Sequence, residues 1–170
     1  MRMKSRLALI TTFLVLTTIC YGQQNINWDK WSWLIGEWKG EGIGQPGQGE
    51  GTFSFSFDLD KNIIVRKSHS EYPATDNKPK IIHDDLMIVY FDTSDGSTKA
   101  VYFDNEGHII NYSVAYTDKS IALTSLKAPN APIFRLTYYL LENEMVNTRF
   151  EMSRDGVNFM TYIEGKSKKI

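Results

Sequence analysis

Ten short segments in which apolar and polar residues alternate, separated by brief turns, fill the chain from residue 37 to residue 165. The clearest is Thr52–Leu59, where the alternation runs without a break, as in a strand with one buried face. No long connection separates two of these segments, so neighbours in sequence are expected to pair antiparallel. The pattern predicts an all-β fold, a single up-and-down antiparallel β-barrel of about ten strands.

The predicted strands end at turns rich in Asp, Asn and Gly, which tolerate turn conformations. The strands are Glu37–Gly44, Thr52–Leu59, Ile63–Tyr72, Ile81–Phe91, Lys99–Asp104, His108–Tyr116, Ser120–Lys127, Ile133–Leu141, Met145–Ser153 and Phe159–Gly165. Six glycines between residues 40 and 51 surround the first hairpin and are typical of the bending where a barrel closes. A phosphate-binding loop is the alternative, but no helix start follows these glycines.

One short N-terminal helix, Asn27–Leu34, is predicted ahead of the barrel. Trp28, Trp31 and Leu34 lie at helical spacing, and the first residue of the segment is the candidate cap. A helix of one or two turns is not stable alone, so its tryptophans are expected to dock on the barrel. Trp38, in the first strand, is expected to point inward near the barrel floor.

The first 22 residues have the pattern of a secretory signal peptide. A basic start precedes the apolar stretch Leu7–Ile19, which is too short to span a bilayer comfortably. Gly22 is a small residue suited to the position before cleavage. The sequence therefore predicts a mature domain of residues 23–170, exported to the periplasm or secreted.

The only cysteine, Cys20, offers an alternative, a lipoprotein signal acylated at that residue. Ile19 argues against it, because lipoprotein processing normally requires a small residue before the cysteine. Cleavage after Gly22 would remove Cys20, so the mature domain is expected to fold without a disulfide.

Charge argues against nucleic acid as a partner. Cleavage would leave 16 of the 19 Lys and Arg residues against 20 Asp and Glu, a formal net charge of −4. The only basic run, Lys166–Lys169, is interpreted as a solvated end. No second apolar segment approaches the length of a membrane span, so none is expected.

Alternation assigns the inward faces of three strands. In the second strand Phe53, Phe55, Phe57 and Leu59 are predicted to face the interior. Towards the C-terminus the inward sets are Phe134, Leu136, Tyr138 and Leu140, and then Val146, Thr148, Phe150 and Met152. Arg135, Arg149 and Glu151 then fall on outer faces, as cross-strand surface pairs. Aromatic residues make up 13% of the chain, which suits both a lined cavity and a filled core.

For the third strand, the sequence allows either face to point inward. Either Arg66 lines the interior together with Ser68 and Ser70, or Lys67 does so together with His69 and Glu71. Hydrophobicity does not decide, since both faces carry an isoleucine. A buried cation would need a partner, for which a ligand carboxylate is one candidate.

No catalytic constellation stands out, and the prediction is for no catalytic residues, no metal and no cofactor. The chain has no Gly-x-Ser-x-Gly elbow, and its acidic residues are scattered through turns. His83 and Asp85 share a strand face and could contact a metal, but no third ligand is indicated.

Four segments carry a family resemblance: Leu34–Gly42, Val101–Gly107, Phe134–Tyr138 and Phe150–Gly156. In these the chain resembles the bacterial family labelled DUF1579, which implies an exported barrel of lipocalin-like, or calycin-like, fold. The family implies no activity.

The opening Gly-x-Trp-x-Gly-x-Gly over residues 36–42 is also similar to that of nitrobindin-like haem barrels and, more distantly, fatty-acid-binding proteins. In the nitrobindin-like group a histidine near the C-terminus ligates the iron, whereas the last histidine here is His108.

The leading functional hypothesis is an exported, non-catalytic barrel that binds a small lipophilic ligand in its interior. The candidate ligand-binding residues are Trp38, Phe53, Phe55, Phe57, Arg66, Phe134, Tyr138 and Phe150. One alternative is a haem-binding or enzymatic barrel of nitrobindin-like type that uses His69 or His83. Another is a filled structural barrel that acts through its surface. Oligomeric state stays open.

Overall fold

The computed structural model describes residues 26–40, 50–74, 76 and 79–170. The predicted signal peptide, with Cys20 and Gly22, lies outside the described residues, as do residues 41–49 of the glycine-rich first hairpin. Within the described part, no helix has the length and apolar content needed to cross a bilayer.

The fold is a single closed barrel of ten antiparallel strands, as predicted. Each strand pairs with its neighbour in sequence, and β1 pairs with β10 to close the barrel. The strands are β1 (Gly36–Gly40), β2 (Glu50–Asp58), β3 (Ile63–Tyr72), β4 (Ile81–Asp92), β5 (Ser97–Asp104), β6 (Ile109–Tyr116), β7 (Ser120–Ser125), β8 (Ile133–Leu140), β9 (Val146–Ser153) and β10 (Met160–Lys169).

The N-terminal helix is shorter than predicted, a 3-10 turn over Asp29–Trp31. The side chain of Asn27 accepts a hydrogen bond from the backbone N–H of Asp29 at 2.8 Å, so it holds the start of the turn. The Trp31 indole donates to the Tyr116 hydroxyl at 2.9 Å, and the Trp28 indole donates to the Lys61 carbonyl at 2.7 Å. The turn therefore covers one end of the barrel, here called the floor; the opposite end is called the mouth.

The floor is tightly packed. Trp31, Leu34 and Trp38 are fully buried, as expected, and Trp33 packs against them with part of its ring exposed. The Trp38 indole donates to the Leu34 carbonyl at 2.9 Å and stacks on Phe53 with ring centroids 6.1 Å apart. These contacts join the helical turn to β1 and β2.

The alternation in β2 is confirmed for Phe53 and Phe55, which are buried inside the barrel. The inward assignment of Leu59 is wrong: its side chain is 65% exposed. The strand ends at Asp58, and Leu59, Asp60 and Lys61 all adopt left-handed φ angles of 47° to 64°. A run of left-handed residues turns the chain one position earlier than the apolar pattern suggests.

The C-terminal basic run is not a free end, because it continues β10. Lys168 pairs with Lys39, and Lys169 pairs with Trp38, so residues 167–169 form the ladder that closes the barrel. Backbone pairing with β1, and not an alternating apolar pattern, makes this segment a strand, which explains why its sequence gave no strand signal.

The outer faces carry the predicted ion pairs, with one difference. Arg149 pairs with Glu164 at 2.8 Å on the surface. Arg135 pairs with Glu151 at 2.8 Å, but Glu151 is buried rather than exposed. The Arg135 guanidinium covers this carboxylate and stacks over the Phe159 ring at 3.8 Å, so the carboxylate is sheltered from water.

Candidate functional site

Register places a set of polar side chains on the inner surface of β3, β4 and β5. Phe55 of β2 faces the interior and pairs with Arg66, so Arg66, Ser68 and Ser70 point inward. Lys67, His69 and Glu71 point outward, which settles the two readings of this strand. By the same alternation, two side chains of β4, His83 and Asp85, and two of β5, Tyr102 and Asp104, point inward on the strands next to Arg66. We call the following group the polar wall: Arg66, His83, Asp85, Tyr102 and Asp104.

Within the polar wall, Arg66 and Asp85 form a buried ion pair. The two side chains are only 9% and 5% exposed. Burial raises the pKa of the Asp85 carboxyl, and the positive charge of Arg66 opposes this rise. Arg66 keeps its charge, since a guanidinium is not deprotonated in proteins. A buried Arg66 was expected to need a partner, and the structure supplies it from the protein itself, as Asp85.

The polar wall continues to the mouth as a chain of hydrogen bonds. His83 Nε2 lies 3.0 Å from the Tyr102 hydroxyl, which donates to Asp104 Oδ2 at 3.2 Å. Burial, together with the charges of Asp85 and Asp104, raises the pKa of Tyr102, so this hydroxyl stays protonated. His108 Nδ1 lies 2.8 Å from Asp104 Oδ2, and His83 Nδ1 lies 3.1 Å from Glu106 Oε1.

An apolar wall faces the interior from β8, β9 and β10. Phe134 and Phe150 stack with ring centroids 5.6 Å apart, and both are only partly buried. A β-bulge between Thr161 and Ile163 leaves Tyr162 out of register, and its ring meets the edge of Phe150 at 6.3 Å. Aromatic surface therefore lines the mouth half of the barrel opposite the polar wall.

The burial of inward-facing side chains changes along the barrel axis. Towards the floor, the inward residues Ile64, Val89, Ile121 and Val146 are fully buried. Towards the mouth, inward residues of β3, β4, β8 and β9 are partly exposed, including Ser68, His83, Phe134 and Phe150. The floor half is thus a filled core, whereas the mouth half is accessible from outside.

Three buried polar atoms inside the barrel have no hydrogen-bond partner among the described residues: Arg66 Nε, the Tyr138 hydroxyl and Thr148 Oγ1. Tyr138 and Thr148 are paired in the β8–β9 ladder. Tyr138 lies 5.3 Å from Phe55 and 5.8 Å from Phe53 between ring centroids, and Arg66 lies 5.8 Å from the Phe53 ring. The three atoms therefore border one region between the floor and the mouth.

The eight candidate ligand-binding residues lie at different positions along the barrel axis: at the floor, in the middle or towards the mouth. Trp38 and Phe55 belong to the filled floor, and Phe57 lies beside Lys61 near the same end. The remaining five lie in the middle or towards the mouth: Phe53, Arg66, Tyr138, Phe134 and Phe150.

Sequence reasoning did not connect Arg66 with Tyr102 and Asp104. Their alternation in β5 was visible, but only strand pairing shows that they lie beside Arg66.

The histidines lie on different faces. His69 is on the outer surface, where Asp84 and Glu71 contact its ring at 2.6 and 3.3 Å. It therefore does not reach an interior ligand. His83 faces inward, with Nε2 at 3.7 Å from Asp85 Oδ2. Among the residues that the structure describes, no group of three or more His, Cys, Asp or Glu side chains is arranged to hold a metal ion.

Comparison with known proteins supports the architecture. No protein-family model matches the chain, and no curated protein sequence matches it. Several solved structures do match, among them the crystal structure of Rv2717c from M. tuberculosis. The match covers 84% of this chain and 96% of that chain, with 13% sequence identity and a TM-score of 0.55. At this identity the likeness shows a common fold, and the chain is thus similar to Rv2717c in its β-barrel architecture.

Proposed function

We propose that this protein is an exported β-barrel that binds a small lipophilic molecule in the mouth half of its interior. The observation that carries the proposal is the contrast between the filled floor and the accessible mouth half, where aromatic side chains line one wall. A concave, mostly apolar site with a few polar groups is the usual form of a small-molecule site.

Apolar side chains at the mouth support this proposal. Among the residues that the structure describes, most of the exposed large hydrophobic side chains lie near the mouth: Ile81, Ile82, Phe103, Ile109, Leu126, Val157, Met160 and Tyr162. Met160 and Tyr162 are 64% and 72% exposed and flank the apolar wall. Exposed apolar groups gathered at one end mark an interaction site more often than scattered ones do. Phe103 and Ile109 are paired on the outer face, whereas Met160 and Tyr162 adjoin the interior aromatic pair and offer an apolar route into the barrel.

Export is part of the proposal and rests on the signal-peptide pattern of residues 1–22. We assign no reaction to the barrel, because most polar groups of the polar wall are paired with one another. Its ion pair and hydrogen bonds are suited to orienting a ligand.

Native mass spectrometry of the protein purified from the exported fraction tests the proposal. We expect a mature chain beginning at Gln23, together with a second species heavier by the mass of a co-purifying lipophile. Phe150→Ala should lower the affinity for a neutral apolar probe such as N-phenyl-1-naphthylamine by about tenfold or more, because an aromatic contact of roughly 1.5–3 kcal/mol is lost.

Arg149→Ala is the matched control, since the neighbouring Arg149 faces outward and should leave probe affinity unchanged. An unliganded mass that no lipophile shifts would indicate a filled structural barrel. Acylation at Cys20 or retention of Met1 would contradict the predicted cleavage.

A further inference from the structure

The charges of the mouth half restrict which lipophile can bind there. Among the described residues that face inward in this half, Arg66 is the one Lys or Arg, and Asp85 already neutralises it. Asp104 adds a second carboxylate whose side chain is 4% exposed, with His108 on its outer side. The polar wall therefore carries two buried carboxylates and a single guanidinium.

A carboxylate head group would be unfavourable in this setting. Entering beside Arg66, it would approach Asp85, and it would lose its hydration without gaining an unpaired cation. A buried charge is tolerated only when it is paired and hydrogen-bonded. The interior thus disfavours a fatty acid anion even though an arginine lines it.

The same region has unused capacity for hydrogen bonding. Arg66 Nε and the Tyr138 hydroxyl are donors with no partner in the described part of the chain, and Thr148 Oγ1 lies beside Tyr138. A buried polar group without a partner costs roughly 1–3 kcal/mol. An oxygen atom of a ligand placed here would accept these hydrogen bonds.

Tyr138 is suited to donate. Burial raises the pKa of Tyr138 to about 12, and Arg66 opposes this rise. The hydroxyl therefore keeps its proton at neutral pH and can donate a hydrogen bond.

We propose, building on the proposed function, that the ligand is an uncharged lipophile with a hydrogen-bonding oxygen, such as a long-chain alcohol, ketone or ester. Its oxygen lies between Arg66, Tyr138 and Thr148. Its apolar chain extends along Phe134 and Phe150 towards the mouth.

Competition between two probes of equal chain length tests this inference. Decan-1-ol and decanoate are titrated at pH 8 against protein loaded with N-phenyl-1-naphthylamine, and displacement is followed by fluorescence. The wild-type protein should bind decan-1-ol at least tenfold more tightly than decanoate. Tyr138→Phe should weaken decan-1-ol binding by about three- to tenfold, as expected for one lost hydrogen bond.

Two neighbouring carboxylates provide a matched pair of variants. Asp85→Asn leaves Arg66 without its counter-charge and should shift the preference towards decanoate by at least tenfold. Asp84→Asn is the control, because Asp84 lies on the outer face, where it contacts His69; it should leave the preference unchanged.

The outcomes separate the two proposals. If wild-type protein binds decanoate as tightly as decan-1-ol, the inference is wrong while ligand binding stands. If neither compound displaces the probe and no lipophile co-purifies, the proposed function itself fails. The comparison on wild-type protein decides the question even if Asp85→Asn does not fold.

Discussion

Trp38→Ala should lower the free energy of unfolding by about 3–5 kcal/mol, the usual effect of truncating a large aromatic side chain in a core. Trp38 is 1% exposed, stacks on Phe53 and donates to the Leu34 carbonyl. Its removal would leave a cavity at the floor and release the helical turn that carries Trp31. Urea-induced unfolding followed by circular dichroism measures the effect.

Arg149→Ala is the comparison for this variant. Arg149 lies on the outer face, pairs with Glu164 and is about one-third exposed, so its loss should change stability by no more than roughly 1 kcal/mol. Equal losses for the two variants would show that the floor does not hold the barrel together as described.

Arg66→Met should destabilise the protein by about 3–5 kcal/mol, because it leaves the Asp85 carboxylate buried without a counter-charge. The double variant Arg66→Met/Asp85→Leu should recover most of the loss, since apolar side chains can replace a buried ion pair with little change in stability. A double variant no more stable than Arg66→Met would contradict the assignment of this pair.

The stability deficit of Arg66→Met should also depend on pH. Burial raises the pKa of Asp85 in the native protein, and loss of Arg66 should raise it further. A folded-state pKa above the unfolded value of about 3.9 destabilises the folded protein at every pH where the unfolded carboxyl is ionised. The deficit should be complete above the raised pKa and narrow as the pH falls towards 4. A deficit that is constant between pH 8 and pH 4 would exclude this cause.

Alternation was sufficient for the number of strands and for most of the inward positions of β2, β8 and β9, because these inward faces are apolar enough to define their own register. Phe53 and Phe55 show this in β2. The alternation pattern gave wrong assignments where backbone geometry, or pairing with a strand distant in sequence, determines the structure. Leu59 continues the alternation but lies in a left-handed turn, and the basic run at the C-terminus becomes a strand only because β1 pairs with it.

The polar wall could be anticipated only in part. Both faces of β3 have similar composition, so the inward position of Arg66 follows from its pairing with Phe55. Its partner Asp85 is nineteen residues away in sequence, and no local pattern links them. The burial of Glu151 likewise depends on Arg135 and on the distant Phe159 ring. Such contacts follow from closure of the barrel and not from periodicity.

The central claim is that the mouth half of the barrel holds an uncharged lipophile above a filled floor. The most direct test is an aromatic ¹H–¹³C NMR spectrum of the exported protein, recorded with and without saturating decan-1-ol. We expect chemical-shift changes at Phe134, Tyr138 and Phe150, and none at Trp31 in the floor or Phe103 on the outer face. Changes confined to Phe103 and its outer-face neighbours, or no changes at all, would contradict the account.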